Sequence, residues 1–212
     1  MGLTEKEQRQ LDEGLLLPLV EQFYSIQGEG YHTGCAAWFV RLGGCDIGCH
    51  WCDTRYSWNP DHFPPVAVET IVARACESGT RHLVITGGEP LMYNLHPLTT
   101  LLHREGFTLY LETSGAHPLR GTFDWICLSP KQDKPPLEAI YPLAHELKVI
   151  IEQPADLEWA EENATRVNDS CHLFLQPEWS RFREIIPLIV EYVKSHPQWR
   201  ISLQTHKFMH IP

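Results

Sequence analysis

The chain has 212 residues, 43% of them apolar and 21% charged, the composition of an ordinary globular protein built around one main core. Its formal charge of −10 argues against a nucleic-acid partner, whose phosphates demand a basic footprint. No apolar run approaches the ~20 residues that cross a bilayer, and the polar N-terminus lacks the apolar stretch of a secretory signal, so a cytoplasmic protein with no membrane partner is expected.

Met1 to Glu13 is polar and reads as a frayed segment or short helix. The apolar run from Leu15 to Tyr24 is interrupted by Pro18, which places a strand near Val20–Tyr24. Gln27-Gly28-Glu29-Gly30 is a turn whose glycines allow special dihedrals or close backbone approach. Ala36 to Leu42 is a strand apolar on both faces, as buried parallel strands are. Arg41 departs from that pattern, and its place beside Phe39 and Ala37 demands a carboxylate or a polar cavity.

Val66–Ser78, Leu95–Glu105, Asp156–Val167 and Arg183–Ser195 carry helical patterns. Arg81–Thr86, Phe107–Leu111, Trp125–Leu128, Leu147–Ile151, His172–Leu175 and Arg200–Leu203 read as strands. The alternation implies a mostly parallel sheet. About nine residues separate Gly115 from Trp125, too few for a helical crossover, and Pro135, Pro136 and Pro142 shorten any helix in the next connection. The expected fold is therefore α/β, a partial TIM-like barrel of about six mostly parallel strands with about three crossover helices. Polar or glycine-rich clusters follow strand after strand, and parallel strands gather them at one end of the sheet, where α/β folds bind ligands.

The loop after Leu42 holds Cys45, Cys49 and Cys52 in a C-x3-C-x2-C pattern. Three soft thiolates so close in a chain read as cytosolic point to metal. They can hold three irons of a four-iron cluster and leave the fourth open to an exogenous ligand. A zinc site of three cysteines, completed by His50 or another group, is the alternative. Cys35, Cys76, Cys127 and Cys171 are scattered and read as buried thiols.

The cysteine loop, followed after the next strand by Gly87-Gly88-Glu89-Pro90, resembles the radical S-adenosylmethionine (SAM) superfamily. The resemblance narrows with Gln27-Gly28-Glu29-Gly30, Arg41-Leu42, Cys52-Asp53-Thr54, Glu112-Thr113-Ser114-Gly115, Ser129-Pro130-Lys131, Gln204-Thr205-His206-Lys207 and Ile211-Pro212. Together these are similar to the 7-carboxy-7-deazaguanine synthase family and cover nearly the whole chain. The resemblance implies one domain, 1–212, with an N-terminal extension (1–18) and a C-terminal tail (204–212) that contacts substrate.

It implies a 4Fe-4S cluster on Cys45, Cys49 and Cys52, with SAM on its open iron. SAM contacts are implied for His50, Trp51, Gly88, Glu89, Glu112, Ser114, Ser129, Lys131 and Gln176. A carboxylate such as Glu89 is a natural acceptor for the SAM ammonium. Lys148, inside an apolar strand, is either a further contact or a snorkelling side chain. Substrate contacts are implied for Gln27, Gly28, Glu29, Gly30, Arg41, Thr86, His206 and Pro212, and a magnesium ion on Thr54. Because the terminal carboxylate is implied to reach substrate, an extension beyond Pro212 is expected to harm activity more than an N-terminal tag.

The implied reaction is that of a lyase in 7-deazapurine (queuosine) synthesis. One-electron cleavage of SAM gives a 5′-deoxyadenosyl radical that takes hydrogen from C6 of 6-carboxy-5,6,7,8-tetrahydropterin. Magnesium-assisted ring contraction and loss of ammonia then give 7-carboxy-7-deazaguanine. An electron donor such as flavodoxin or ferredoxin and a homodimer are implied as partners. A glycyl-radical activase would share the cysteine loop but not the Gln27–Gly30 turn or the terminal motif. A non-catalytic metal module would not need the strand-end polar clusters.

Overall fold

A computed structural model describes residues 3–212. Met1 and Gly2, which open the segment expected to be frayed or helical, lie outside the described residues. The rest of that segment is a helix, α1 (Glu5–Asp12), held by a reciprocal cap. The Glu7 N–H donates to the Thr4 hydroxyl at 3.3 Å, and the Thr4 N–H donates to the Glu7 carboxylate at 2.8 Å.

The first strand, β1 (Leu16–Ile26), runs through Pro18 instead of starting after it. It pairs antiparallel with β2 (Ala36–Leu42) from Leu19 onward, and the register shifts between Leu19 and Glu21. Before that point it pairs with the short β3 (Pro65–Ala67), Pro18 opposite Pro65. The missing proline N–H is tolerated because it falls at a switch of partners beside an irregularity.

From β2 the sheet continues through β4 (His82–Gly87), β5 (Thr108–Thr113), β6 (Trp125–Leu128), β7 (Glu146–Ile151), β8 (His172–Pro177) and β9 (Trp199–Ile201). Its order is β3-β1-β2-β4-β5-β6-β7-β8-β9. Every pairing from β2 to β9 is parallel, so the expected partial barrel is present, with seven parallel strands where about six were expected. Crossovers use α2 (Val68–Cys76), α3 (His96–Arg104), α4 (Asp156–Ala164) and α5 (Phe182–Ser195), one more than the expected about three. The β5–β6 connection has no helix, and the β6–β7 connection has only a 3-10 turn, Glu138–Leu143. A last helix, α6 (Thr205–Met209), was not foreseen.

The pleat sorts side chains between two faces. Leu83, Ile85, Leu109, Leu111, Leu147 and Val149 point to the helical side and join Ile71, Leu98, Ala160 and Ile189 in the main core. The other, concave face starts with Ala37, Phe39 and Val84 against Phe23 and Tyr110. Toward the C-terminal strand ends this face turns polar, which makes room for a site.

The sheet does not close through a ladder. The β1–β2 loop bridges the gap instead. The Gly30 N–H donates to the Ser202 hydroxyl at 2.9 Å, and the Thr205 N–H donates to the Gly28 carbonyl at 2.8 Å. The first connection of the sheet is thereby tied to the segment after its last strand. Among the described residues no helix is long and apolar enough to cross a membrane.

Candidate active site

A cavity of about 490 Å³ opens at the C-terminal ends of the parallel strands, within the size range of small-molecule sites. Every residue singled out from the sequence lines it except Gly30 and His50. Gly30, at the end of the Gln27–Gly30 turn, faces away from the cavity against the Glu146 carboxylate. The side chain of His50 is 70% exposed and pairs with Glu152 at 3.0 Å. The sequence could not show this, because His50 sits within the cysteine motif but its ring turns outward.

The cysteine loop is fixed by backbone bonds to the segment that follows it. The Gly44 N–H donates to the Ser57 carbonyl at 2.7 Å and the Cys45 N–H to the Trp58 carbonyl at 3.1 Å. The Tyr93 hydroxyl donates to the Gly43 carbonyl at 2.8 Å. Cys45 and Cys52 pack with Ile47, Cys49, Trp51 and Ala116 in a small apolar cluster. Burial raises the pKa of Cys45 and of Cys49, with Lys131 acting in the opposite sense at Cys49.

Among the described residues no three His, Cys, Asp or Glu side chains converge on one ion position. Three thiols lining one cavity can instead each take a different iron of a cluster. With His50 engaged by Glu152, the donor set fits an iron–sulfur cluster with one open iron better than a zinc site completed by that histidine.

The β4 end packs directly on this loop. The Gly88 N–H donates to the Leu42 carbonyl at 3.0 Å and the Glu89 N–H to the Gly44 carbonyl at 2.8 Å. A Cβ on Gly88 would collide with the Gly44 carbonyl and with Cys45, so glycine is required for this approach. Glu89 is 1% exposed. Its carboxylate accepts the Thr113 hydroxyl at 2.6 Å, the Ser114 N–H at 2.8 Å, the Ser114 hydroxyl at 2.5 Å and the Leu91 N–H at 3.0 Å. Four donors of the chain occupy its acceptor sites. The Glu89 side chain therefore knots the β4 and β5 ends together, and the backbone of the turn is the part left to meet an ammonium.

Across the cavity, the Lys131 ammonium donates to the Ser129 carbonyl at 2.6 Å and hydroxyl at 2.7 Å and lies 5.5 Å from the Trp51 ring. Burial lowers its pKa, against the pull of Cys49. Gln176 accepts the Ser202 hydroxyl at 2.6 Å. Thr54 lies 3.5 Å from the Cys52 sulfur through its hydroxyl.

The remaining wall centres on Lys148, which is not a snorkelling lysine. It is 5% exposed and donates to Glu29 at 2.6 Å and to Glu112 at 2.9 Å. Gln27 donates to Glu112 at 3.2 Å, and Gln204 to the other Glu29 oxygen at 2.8 Å. Burial pushes the Glu29 carboxyl up, but the Lys148 charge and the hydrogen bonds from Lys148 and Gln204 outweigh it and hold the pKa at about 2. Burial lowers the pKa of His206 despite nearby Glu29. A Cβ on Gly28 would strike the His206 ring. Arg41 meets both expectations for it, since it pairs with Glu21 at 2.8 Å and lines the cavity with Thr86.

Asp53, Gln204 and Lys207 were not singled out individually. Lys207 donates to Asp53 at 2.7 Å and to Gln204 at 2.9 Å, tying α6 to the cysteine loop. Their motifs were legible in the sequence; their pairing across 154 positions was not. Pro212 lines the cavity mouth, and its carbonyl accepts the Ser25 hydroxyl at 2.9 Å.

Residues 39–132 match the family model described as the radical SAM superfamily. The chain is 51% identical over 210 residues to the 7-carboxy-7-deazaguanine synthase of Flavobacterium psychrophilum, covering 99% of this chain and 100% of that one. It is 35% identical to the Escherichia coli enzyme of the same name, covering 92% and 98%. The crystal structure of QueE from Escherichia coli superposes with a TM-score of 0.79 at 32% identity, covering 94% of this chain and 99% of that one. The cavity and its cysteine loop thus stand in a chain that matches these enzymes end to end, and the chain belongs to the 7-carboxy-7-deazaguanine synthase family of radical SAM enzymes.

Proposed function

We propose that the chain converts 6-carboxy-5,6,7,8-tetrahydropterin to 7-carboxy-7-deazaguanine with release of ammonia, in 7-deazapurine (queuosine) synthesis. The observation that carries this reading is the single cavity shared by three cysteines, the strand-end polar residues and the C-terminal helix. When bound, a 4Fe-4S cluster with SAM supplies one-electron radical chemistry, and magnesium supplies a Lewis-acid contact. Cys45, Cys49 and Cys52 would hold the cluster. Gly88 gives the backbone approach, and Trp51, Glu112, Ser114, Ser129, Lys131 and Gln176 would surround SAM, with Glu89 fixing Ser114.

The chain's own work at the other end is binding and orientation. Glu29 stays anionic, because its pKa lies near 2. Each of its oxygens keeps a lone pair beyond those taken by Lys148 and Gln204, and these suit the guanidine-like edge of a pterin. Gln27 lies beside it. Arg41 is matched to the substrate carboxylate, and Thr54 to a magnesium ion shared with that carboxylate. Thr86, Gly28, His206 and Pro212 close the remaining sides. His50 and Gly30, which do not line the cavity, are left out of these contacts.

The protein is read as one working domain, 1–212, acting as a cytoplasmic homodimer and supplied with electrons by flavodoxin or ferredoxin. The test is anaerobic reconstitution with iron, sulfide, SAM, a reductant, magnesium and the carboxy-tetrahydropterin. Formation of the deazaguanine, lost on Cys45→Ala, is expected. An intact cluster with SAM cleavage but no deazaguanine would refute the substrate assignment.

A further inference from the structure

Glu146, the first residue of β7, is 3% exposed and has no part in the binding roles above. It lies against the back of the turn that carries Gln27 and Glu29. One of its oxygens accepts the Tyr31 backbone N–H at 3.0 Å and the Trp125 indole N–H at 3.2 Å. The other accepts the Cys127 thiol at 3.5 Å and sits where a Cβ on Gly30 would be. Gly30 has φ +65°, so a side chain there is opposed both by the backbone and by this carboxylate. Tyr31 is gripped on its ring as well, stacked 4.8 Å from Trp125 and 4.5 Å from His172.

The turn needs such a grip. It is a loop between two strands, and it bridges the gap of an open sheet. Its backbone is also held at Gly30 by Ser202 and at Gly28 by Thr205, from the segment after β9, while Lys148 and Glu112 reach its side chains at Glu29 and Gln27 from the sheet. Glu146 holds its backbone from the interior of the sheet. A turn free to wander would dilute the arrangement that binds substrate and weaken apparent affinity by that fraction.

We propose that Glu146 is a positioning residue that clamps the Gly28–Tyr31 turn so that Gln27 and Glu29 face the cavity. This rests on the reading of that turn as the pterin site. Burial raises the Glu146 pKa, with Lys148 opposing and Glu112 assisting. By its geometry, what the clamp supplies is acceptor oxygen at two partly buried N–H donors. Gln can supply the same oxygen to both donors, because they share one atom; Ala cannot.

The test uses the reconstituted holoenzyme and its Glu146→Ala, Glu146→Gln and Gly30→Ala variants. Pterin Kd is measured by calorimetric titration and pterin KM by turnover; iron content and SAM cleavage without pterin are the controls. Glu146→Ala should raise Kd and KM about tenfold, the effect of two partly buried donors left without their acceptor. Glu146→Gln should stay within about threefold of wild type. Iron content and pterin-independent SAM cleavage should match wild type in both.

Gly30→Ala pushes the turn away from the other side and should raise KM by a similar factor, which keeps the proposal exposed to test if Glu146→Ala does not fold. Unchanged KM in Gly30→Ala, unchanged Kd in a folded Glu146→Ala, or a Glu146→Gln as impaired as Glu146→Ala each overturns the clamp while wild-type turnover stands. A wild type that cleaves SAM but neither binds nor converts the pterin overturns the site reading, and the clamp's purpose with it.

Discussion

Replacing Lys148 by Met keeps an unbranched apolar stem, one atom shorter, and removes the charge and its hydrogen bonds. The lysine is 5% exposed and bridges Glu29 (18%) and Glu112 (22%). Without it, two carboxylates face each other at the cavity wall. Breaking a buried ion pair by deleting one partner costs about 3–5 kcal/mol, and the low end applies because both carboxylates keep some water. The Glu29 pKa gives the same scale by another route: a fall from 4.5 to about 2 is worth about 3 kcal/mol. The second figure is net of burial and includes Gln204 and His206 beside Lys148, so the two are not added.

For a chain of this length, a loss of about 3 kcal/mol lowers Tm by about 6–12 °C. Thermal unfolding of wild type and Lys148→Met, followed by circular dichroism near neutral pH, measures it. The pH dependence carries a definite sign. Glu29 has a depressed folded-state pKa, so its contribution is complete above its ordinary 4.5 and disappears as pH falls through about 2. Lys148 is shifted upward from 10.5 despite burial, through the carboxylates and Cys127 around it, so its charge is constant over the acid range. The gap between wild type and variant should hold steady from about pH 6 to 8 and narrow below about 4.5. A Tm difference under about 2 °C, or a gap undiminished near pH 3, would refute the reasoning.

Three further outcomes are expected. Glu89→Gln places an amide N–H₂ among four donors, so stability should fall by about 2 kcal/mol and SAM affinity by about tenfold in equilibrium dialysis; unchanged SAM binding would show that the β4–β5 knot does not shape that wall. Gly88→Ala drives a methyl into the Gly44 carbonyl and Cys45, and iron and sulfide bound per chain should drop after reconstitution while the fold persists; full loading would contradict the close packing. Thr54→Ala should lose the stimulation of turnover by magnesium while Thr54→Ser keeps it, and equal stimulation in both variants would remove Thr54 from the metal site.

Much of this molecule was readable from local signals. Strand and helix patterns placed most elements to within a few residues, because periodicity and glycine stops act over short stretches. Trp125–Leu128 coincides with β6 and Ala36–Leu42 with β2. The convergence of the strand-end motifs followed from parallel topology alone, since parallel strands must present their C-terminal ends together. The cysteine loop was legible because all three cysteines lie in one short segment.

What stayed hidden depended on contacts distant in sequence or on which way a side chain turned. Pro18 was read as a break because the chain does not reveal that β1 changes partners there. His50 sits inside the motif, yet its ring points to Glu152, 102 positions away. The direction of the Glu89 carboxylate toward Thr113 and Ser114, the burial of Lys148 between Glu29 and Glu112, and the grip of Glu146 on Tyr31 all join segments that pattern and spacing treat separately. A linear sequence states which groups are available and how they repeat. Their hydrogen-bond partners, and hence their charge states, are set when the sheet brings β4, β5 and β7 and the Gln27–Gly30 turn to the walls of one cavity.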